Sequence, residues 1–410
     1  MQLQFWDWFK NGLLLGLIAS LAIALLNAPI SPRPLPIDAG EVRGVWLTNV
    51  NSGVLFFPWG IQRAVNTLAQ LHFNTLYPVV WNRGDTFYPS AIAKAATGRD
   101  REPFLKLMHL GSDVLKEVVT RGHQQGFKVI PWFEYGLMTP QGSVLAKRHP
   151  DWFTQTLDRQ RKEYRDAFQD SEEPKKSFEW FNNLFSMRQV WLNPLHPEVR
   201  KFIKGLILEV VQNYDVDGIQ IDDHFGIPVE MGYDDLTLQI YQKEHQGKLP
   251  PSNPYDPRWM GWRANKVTEL ITEIYQEVKA IKPDCLISLS PNSQSYSYTN
   301  YLQNWQVWIA RGLIDELVLQ VYRGDRQGFI NELSQPPVRF AQQHIPVSIG
   351  ILSGVVSKPV PMNTIQEQVR EVRDRHFAGV SFFYWESLWG YIAPESPKRR
   401  RQGFSDLFTG

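Results

Sequence analysis

Eight short apolar runs recur along the chain: Val42–Val50, Asn74–Trp81, Phe127–Glu134, Asp217–Asp222, Cys285–Ser290, Glu316–Tyr322, Pro346–Ile351 and Gly379–Trp385. Each has the length and near-continuous apolarity of a strand buried on both faces, as in a parallel sheet. Between most of them the period changes to that of a helix. Val199, Phe202, Ile203, Leu206, Ile207, Val210, Val211 and Tyr214 fall on one helical face. Ile61, Ala64, Val65, Leu68 and Ala69 do the same earlier, as do Ile365, Val369 and Val372 later. Pro197-Glu198 suits a first helical turn, and the periodic segment Arg258–Lys282 stops at Pro283. Eight strands alternating with helices predict a closed (β/α)8 TIM barrel rather than an open doubly wound sheet. The first run, "EVRGVWLTN", leads into aromatic residues with no glycine-rich phosphate loop, so a dinucleotide fold is not supported.

Long connections follow the second, third and fourth strands: Trp81 to Gly111, Tyr135 to His196 and Phe225 to Asp256. In a barrel all three rise from the C-terminal face, where active sites sit. The stretch "DRQRKEYRDAFQDSEEPKKS" in the second of them reads as a solvated insertion. Residues 41–395 thus form one barrel domain, and 396–410, beginning "SPKRRR", form a basic tail expected to be solvated. At the other end Gly12–Leu26 is apolar and uncharged, with Lys10 just before it. Fifteen residues suit a signal-peptide core better than a full span, and the aromatic start Phe5–Phe9 could turn the segment into a membrane anchor. Residues 1–28 are therefore expected to direct export or tether the chain to a membrane, and 29–40, rich in proline, to act as a stiff spacer.

Composition narrows the function classes. The chain has 410 residues, a formal net charge of +1 and 21% charged residues, which gives no ground for a nucleic-acid partner. Cys285 is the single cysteine, so no intrachain disulfide can form. The 15 Trp, 15 Tyr and 23 Phe serve mostly as core fillers, with those at a cleft mouth free to stack on sugar rings. Trp81, Trp132 and Trp385 stand at strand ends and are the candidates for that role.

Side-chain alternation then picks out the polar lumen. In Gly218–Asp222, Ile219 and Ile221 share the face toward the helices, while Gln220 and Asp222 point into the barrel. Asp223 and His224 begin the following loop. Glu134 closes the preceding strand in the same parity as Trp132. Adjacent strands lie about 5 Å apart, so rim carboxylates on the third and fourth strands can reach the roughly 5–9.5 Å separation of glycoside-hydrolase pairs. The same parity turns Gln320 and Tyr322 inward, and Ser288, Ser290 and Asn292 align on the fifth strand as partners for substrate hydroxyls. Glu386 follows Trp385 with weaker parity. Asp222, Asp223 and His224 are metal-ligand types, but three consecutive residues of an extended strand cannot all turn inward; no metal and no cofactor are expected. A Gly-x-Ser-x-Gly elbow is absent, and Cys285 has no evident base.

Several segments together resemble the glycosyl-hydrolase-like 10 family, also called domain of unknown function 187. They are "EVRGVWLTN" (41–49), "GDTFYPS" (84–90), "HPDWF" (149–153), "WLNPLHPEVRKFI" (191–203), "DVDGIQIDDHF" (215–225), "SLSPN" (288–292) and "IDELVLQVY" (314–322), in family order and within a span of about 41 to 389. The resemblance implies an exported (β/α)8 barrel that hydrolyses bacterial envelope glycans, some relatives cleaving peptidoglycan strands freed of peptides. It also implies that Asp222 and Asp223 are the acidic pair, with the 193–200 segment shaping the cleft. The chain departs from that pattern at His224 and at Glu134-Tyr135, which leaves Asp223 and Glu134 both open as the partner of Asp222. The expected substrate is a polysaccharide. The expected site is Asp222, Asp223 and Glu134 for chemistry, with Trp81, Trp132, Gln220, His224, Asn292, Gln320, Tyr322 and Trp385 for binding. A non-catalytic glycan-binding barrel and a metal-dependent polysaccharide hydrolase or deacetylase are the alternatives.

Overall fold

A computed structural model describes residues 40–158, 189–355, 358–389 and 392–409. The apolar N-terminal segment, the proline spacer through Ala39 and most of the charged insertion lie outside the described residues. The barrel strands are β1 (Val42–Leu47), β2 (Thr75–Pro78), β3, β4 (Gly218–Asp222), β5 (Leu286–Ser290), β6 (Glu316–Gln320), β7 (Val347–Leu352) and β8 (Gly379–Phe383). β3 runs in two pieces, Lys128–Val129 and Trp132–Phe133, because Pro131 between them offers no N–H to a ladder.

All neighbouring strands pair in parallel. The first piece of β3 bonds to β2 and the second to β4, at opposite ends of the strand order. Both ends of the sheet therefore belong to one strand, and the sheet closes. Backbone bonds across the break complete the seam: Ile130 N to Leu76 O, Val80 N to Trp132 O, Asp217 N to Val129 O and Gln220 N to Pro131 O, all within 3.0 Å. The expected eight-stranded barrel is the fold observed.

Each strand returns through a helix: α1 (Pro58–Gln70), α2 (Val114–Gln124), α3 (Pro197–Asn213), α4 (Pro257–Ile281), α5 (Trp305–Ala310), α6 (Pro336–His344), α7 (Met362–Asp374) and α8 (Pro397–Thr409). Proline opens α1, α3, α4 and α6, where the missing N–H costs nothing. The outward isoleucines and valines of the strands meet apolar helix faces such as that of α3, where Val199 through Val211 are buried as the periodicity required.

The basic C-terminal stretch departs from expectation. It is not a solvated tail but α8, the eighth helix of the barrel. Phe404 and Phe408 pack against Phe73 and against Phe382 of β8. Arg400 is fully buried and donates to the carbonyls of Leu388, Val360, Ser353 and Ser387, with Glu395 at 3.4 Å. Burying a guanidinium is tolerable because carbonyl dipoles and one carboxylate replace its water. A second buried arginine, Arg263 of α4, lies over Trp259 and binds the carbonyls of Val229, Met231 and Pro254. It pins the long loop after β4 against the barrel. Among the described residues no helix is long and apolar enough to cross a membrane.

Candidate active site

β4 ends at Asp222, paired with Ser290 of β5. The lumen face of β4 is polar, as parity required. Gln220 accepts from Trp46 Nε1 at 2.7 Å and donates to Ser288 Oγ at 3.0 Å. It is fully buried, so it forms the floor beneath the cleft rather than a surface a substrate reaches. Asp222 sits one layer higher, almost fully buried, and accepts from Gln320 Nε2 at 2.9 Å. Gln320 is fixed in turn by Ser290 O and Oγ.

The chain turns immediately after Asp222, with Phe225 N donating to Asp222 O at 3.1 Å. That turn changes the geometry expected of a continuing strand. Asp223 and His224 fold back, and His224 Nδ1 comes 2.8 Å from Asp223 Oδ1 and 3.5 Å from Asp222 Oδ2. Consecutive residues do converge here, so the reason given for expecting no metal does not hold: one ligand atom from each of Asp222, Asp223 and His224 lies within 4.8 Å of the others. Asn292 Nδ2 donates to Asp223 Oδ2 at 2.5 Å. Gly136, at φ 50°, lets the β3 loop pass so close to His224 that a Cβ there would come within 2.8 Å of the His224 carbonyl carbon. Leu137 N binds His224 O across that contact.

Glu134 follows β3 at the same rim and is almost fully buried. Its Oε2 accepts from Thr48 Oγ1 at 3.0 Å and from Asn82 Nδ2 at 2.6 Å. Thr48 lies in the loop after β1. Asn82 is delivered by a tight hairpin in which Trp81–Asn82 pairs with Asp85–Thr86 around Arg83 and Gly84, both at positive φ. Asn82 also donates to Asn49 Oδ1 at 2.7 Å. Neither Thr48 nor Asn82 was singled out from the sequence, although the parity of β1, with Trp46 inward, also turns Thr48 inward.

The charges of the four groups are interlocked. Burial pushes Glu134 up to about 7, against the pull of Thr48 and Asn82. Burial, then the neighbouring Asp223, then Glu134 raise Asp222 well above the carboxylate range. Asp223 goes the other way: burial would raise it, but His224, a hydrogen bond from Asp222 and Asn292 outweigh burial and lower it. His224 is held well above its usual value, because Asp223 and Asp222 overcome the burial that disfavours its cation. These directions favour the ionised form of Asp223 beside the cationic form of His224, the protonated form of Asp222 and, below about pH 7, that of Glu134. Burial, with the negative charge of the nearby Asp222, Asp223 and Glu134, raises the Tyr322 hydroxyl well above its usual range, and its ring stacks on Phe383.

The remaining sequence candidates fall elsewhere. Trp81 is fully buried, with its Nε1 on Gly136 O and its ring edge-on to Phe202 of α3. It lies past the end of β2, where strand parity no longer applies, and it packs on helix rather than at the mouth. Trp385 is buried against Trp389. Trp132 lies in the lumen between Trp46 and Phe383, nearly covered. Glu386 is apart from this group. Its Oε1 takes Ser52 Oγ at 2.6 Å and Gly53 N at 3.2 Å, which ties the β1 loop to the segment after β8. Burial raises it to about 7.

A closed parallel barrel with buried carboxylates at its C-terminal rim is the arrangement on which glycoside hydrolases are built. Residues 41–371 match Glycosyl hydrolase-like 10, and the chain belongs to that family. It is 24% identical over 323 residues to "Glycosyl hydrolase YngK" of Bacillus subtilis (strain 168), covering 69% of this chain and 54% of that protein. To "Glycosyl hydrolase DigH" of Escherichia coli O6:H1 it is 25% identical over 315 residues, covering 70% and 63%. The match thus spans about half to under two thirds of these relatives' length. In fold it is similar to the PgaB (BpsB) glycoside hydrolase domain from Bordetella bronchiseptica, with a TM-score of 0.59, 13% identity and coverage of 90% of this chain and 98% of that one.

Proposed function

We propose that the chain is a glycoside hydrolase that cleaves a bacterial envelope polysaccharide, with peptide-free peptidoglycan strands the first substrate to test. The observation that carries this reading is the grouping of Asp222, Asp223 and Glu134, held by Gln320, Asn292, Thr48 and Asn82, at the C-terminal rim of β3 and β4. Oxygens of Asp222 and Asp223 lie within 4.8 Å of each other, closer than the roughly 5–9.5 Å between the two carboxyl groups that flank a glycosidic bond. Glu134, on the neighbouring strand, is the separate carboxyl group. It enters the reaction with a proton below about pH 7 and acts as the general acid toward the leaving oxygen. Its two donors both hold Oε2, which leaves Oε1 to present the proton.

Asp222 serves the opposite face of the sugar. Asp222 and Asp223 hold one proton between them, and the negative charge of the pair stabilises the developing positive charge or orients the attacking water. Asn292 and Gln320 hold the two aspartates. The polysaccharide class is supported by the family and by the relatives' names; an envelope location rests on the apolar segment Gly12–Leu26 and is checked by fractionating cells and sequencing the mature N-terminus.

The test is incubation of the full chain with purified peptide-free glycan strands, with products weighed by mass spectrometry. Asp222→Asn should abolish product while leaving the melting curve intact. Undiminished cleavage by that variant would remove Asp222 from the chemistry.

A further inference from the structure

A run of aromatic rings leads away from His224 along one side of the cleft. Tyr135 lies 6.0 Å from the His224 ring and Tyr301 6.2 Å from it. Trp191 stacks on Tyr301 at 6.2 Å with 26° between the planes, and Tyr296 continues the run 6.1 Å from Tyr301. Three separate segments supply these rings. Tyr135 follows β3, Trp191 ends the short strand Gln189–Trp191 that pairs with Met138–Pro140, and Tyr296 and Tyr301 belong to helix Gln294–Tyr301 after β5. Backbone bonds from Leu192 N to Leu137 O and from Ile227 N to Tyr301 O lock the segments together. A core would bury such rings, yet Tyr296 is 47% exposed and Tyr135, Trp191 and Tyr301 are each part-exposed. Four part-exposed rings, held by three separate segments and beginning beside His224, form a preorganised surface for a flat, partly apolar ligand.

We propose that Tyr135, Trp191, Tyr301 and Tyr296 form a glycan track that stacks the sugar residues beyond the scissile bond, so that the chain grips a polymer and cuts within it. The assignment rests on the glycoside-hydrolase reading and adds to it the side on which the polymer lies and the kind of contact that holds it. Pyranose rings present C–H faces to aromatic faces, while the tyrosine hydroxyls remain at the ring margins for sugar hydroxyls. The two steps of about 6 Å from His224 to Tyr296 leave room for more than one sugar ring.

Binding of the full chain to peptide-free peptidoglycan strands, measured by titration calorimetry, tests the track. Tyr296→Ala, whose ring is exposed and outside the core, should weaken binding by roughly 2- to 10-fold. Tyr296→Ala combined with Tyr301→Ala should weaken it further, and Tyr301→Phe should restore the single-variant value, because the ring and not the hydroxyl stacks. If the unaltered chain binds the strands and both alanine variants, still folded by circular dichroism, bind as tightly, the track is refuted alone. If the unaltered chain neither binds nor cleaves these or other envelope polymers, the glycan reading falls and the track with it.

Discussion

Replacing Glu134 by Gln removes a proton site while keeping the shape of the side chain. The two donors, Thr48 and Asn82, converge on a single oxygen, so an amide can keep both bonds through its carbonyl and turn its NH2 toward the cleft. The free energy at stake follows from the raised proton affinity. Glu134 binds its proton with a pKa of about 7 in the fold against 4.5 as a free side chain. A group whose pKa is raised on folding contributes stability that is present in full below the unfolded value and is lost as pH rises through the folded value. Between pH 4.5 and well above 7 the loss is on the order of 3 kcal/mol. The glutamine variant escapes it. Thermal unfolding should therefore show the variant and the unaltered chain close together at pH 5 and the variant higher by a few degrees at pH 8. The same variant should lose about 10²- to 10⁴-fold in kcat, as expected for a missing general acid. In the unaltered chain kcat/KM should fall about tenfold for each pH unit above 7, as the acid form is depleted. A stability difference that does not change between pH 5 and pH 8 would refute the proton-loaded state. A variant that keeps full activity would refute the role.

Two further outcomes follow from features of the fold and the rim. Phe404→Ala, which empties the contact of α8 with Phe73 and Phe382, should cost about 3–5 kcal/mol in urea unfolding, whereas a solvated tail would give a change near zero. Because Gln320 holds Asp222 and Asp223 is satisfied by His224 and Asn292, dialysis against a chelator should leave glycan hydrolysis unchanged; loss of activity restored by a divalent ion would make the Asp222, Asp223 and His224 cluster a metal centre instead.

Much of the barrel was legible because buried parallel strands are nearly all apolar and the helices between them keep a 3.6-residue period. Alternation placed Gln220, Asp222 and Gln320 in the lumen because those residues lie inside strands. It failed one or two residues beyond strand ends, where φ and ψ leave the extended region. Trp81 was misplaced for that reason, and so was the geometry of Asp223 and His224, which depends on a turn beginning at Asp222. Thr48 and Asn82 escaped notice because hydroxyl and amide groups are common at loop starts and nothing local announces that they meet on one carboxylate. The eighth helix was hidden by its charge. Phe404, Leu407 and Phe408 do have helical spacing, but the run of arginines before them suggested solvent, and only tertiary packing reveals that Arg400 is satisfied by four carbonyls. The rings of the proposed track come from three segments more than 160 residues apart at their extremes, from Tyr135 to Tyr301, and local pattern cannot bring them together.

Closure through β1 and β8 also sets a timetable. Val42 pairs with Gly379, and α8 then covers that seam with Phe404 and Phe408. At about 5–20 residues added per second during synthesis, β1 waits roughly 17–70 s for the strand that covers its edge. Through that interval the barrel is an open, curling sheet with an unpaired apolar border, the form most prone to associate with other unfinished chains. Docking of α8 is thus the step that converts a sticky intermediate into a covered barrel seam, and conditions that slow it should appear first as aggregation.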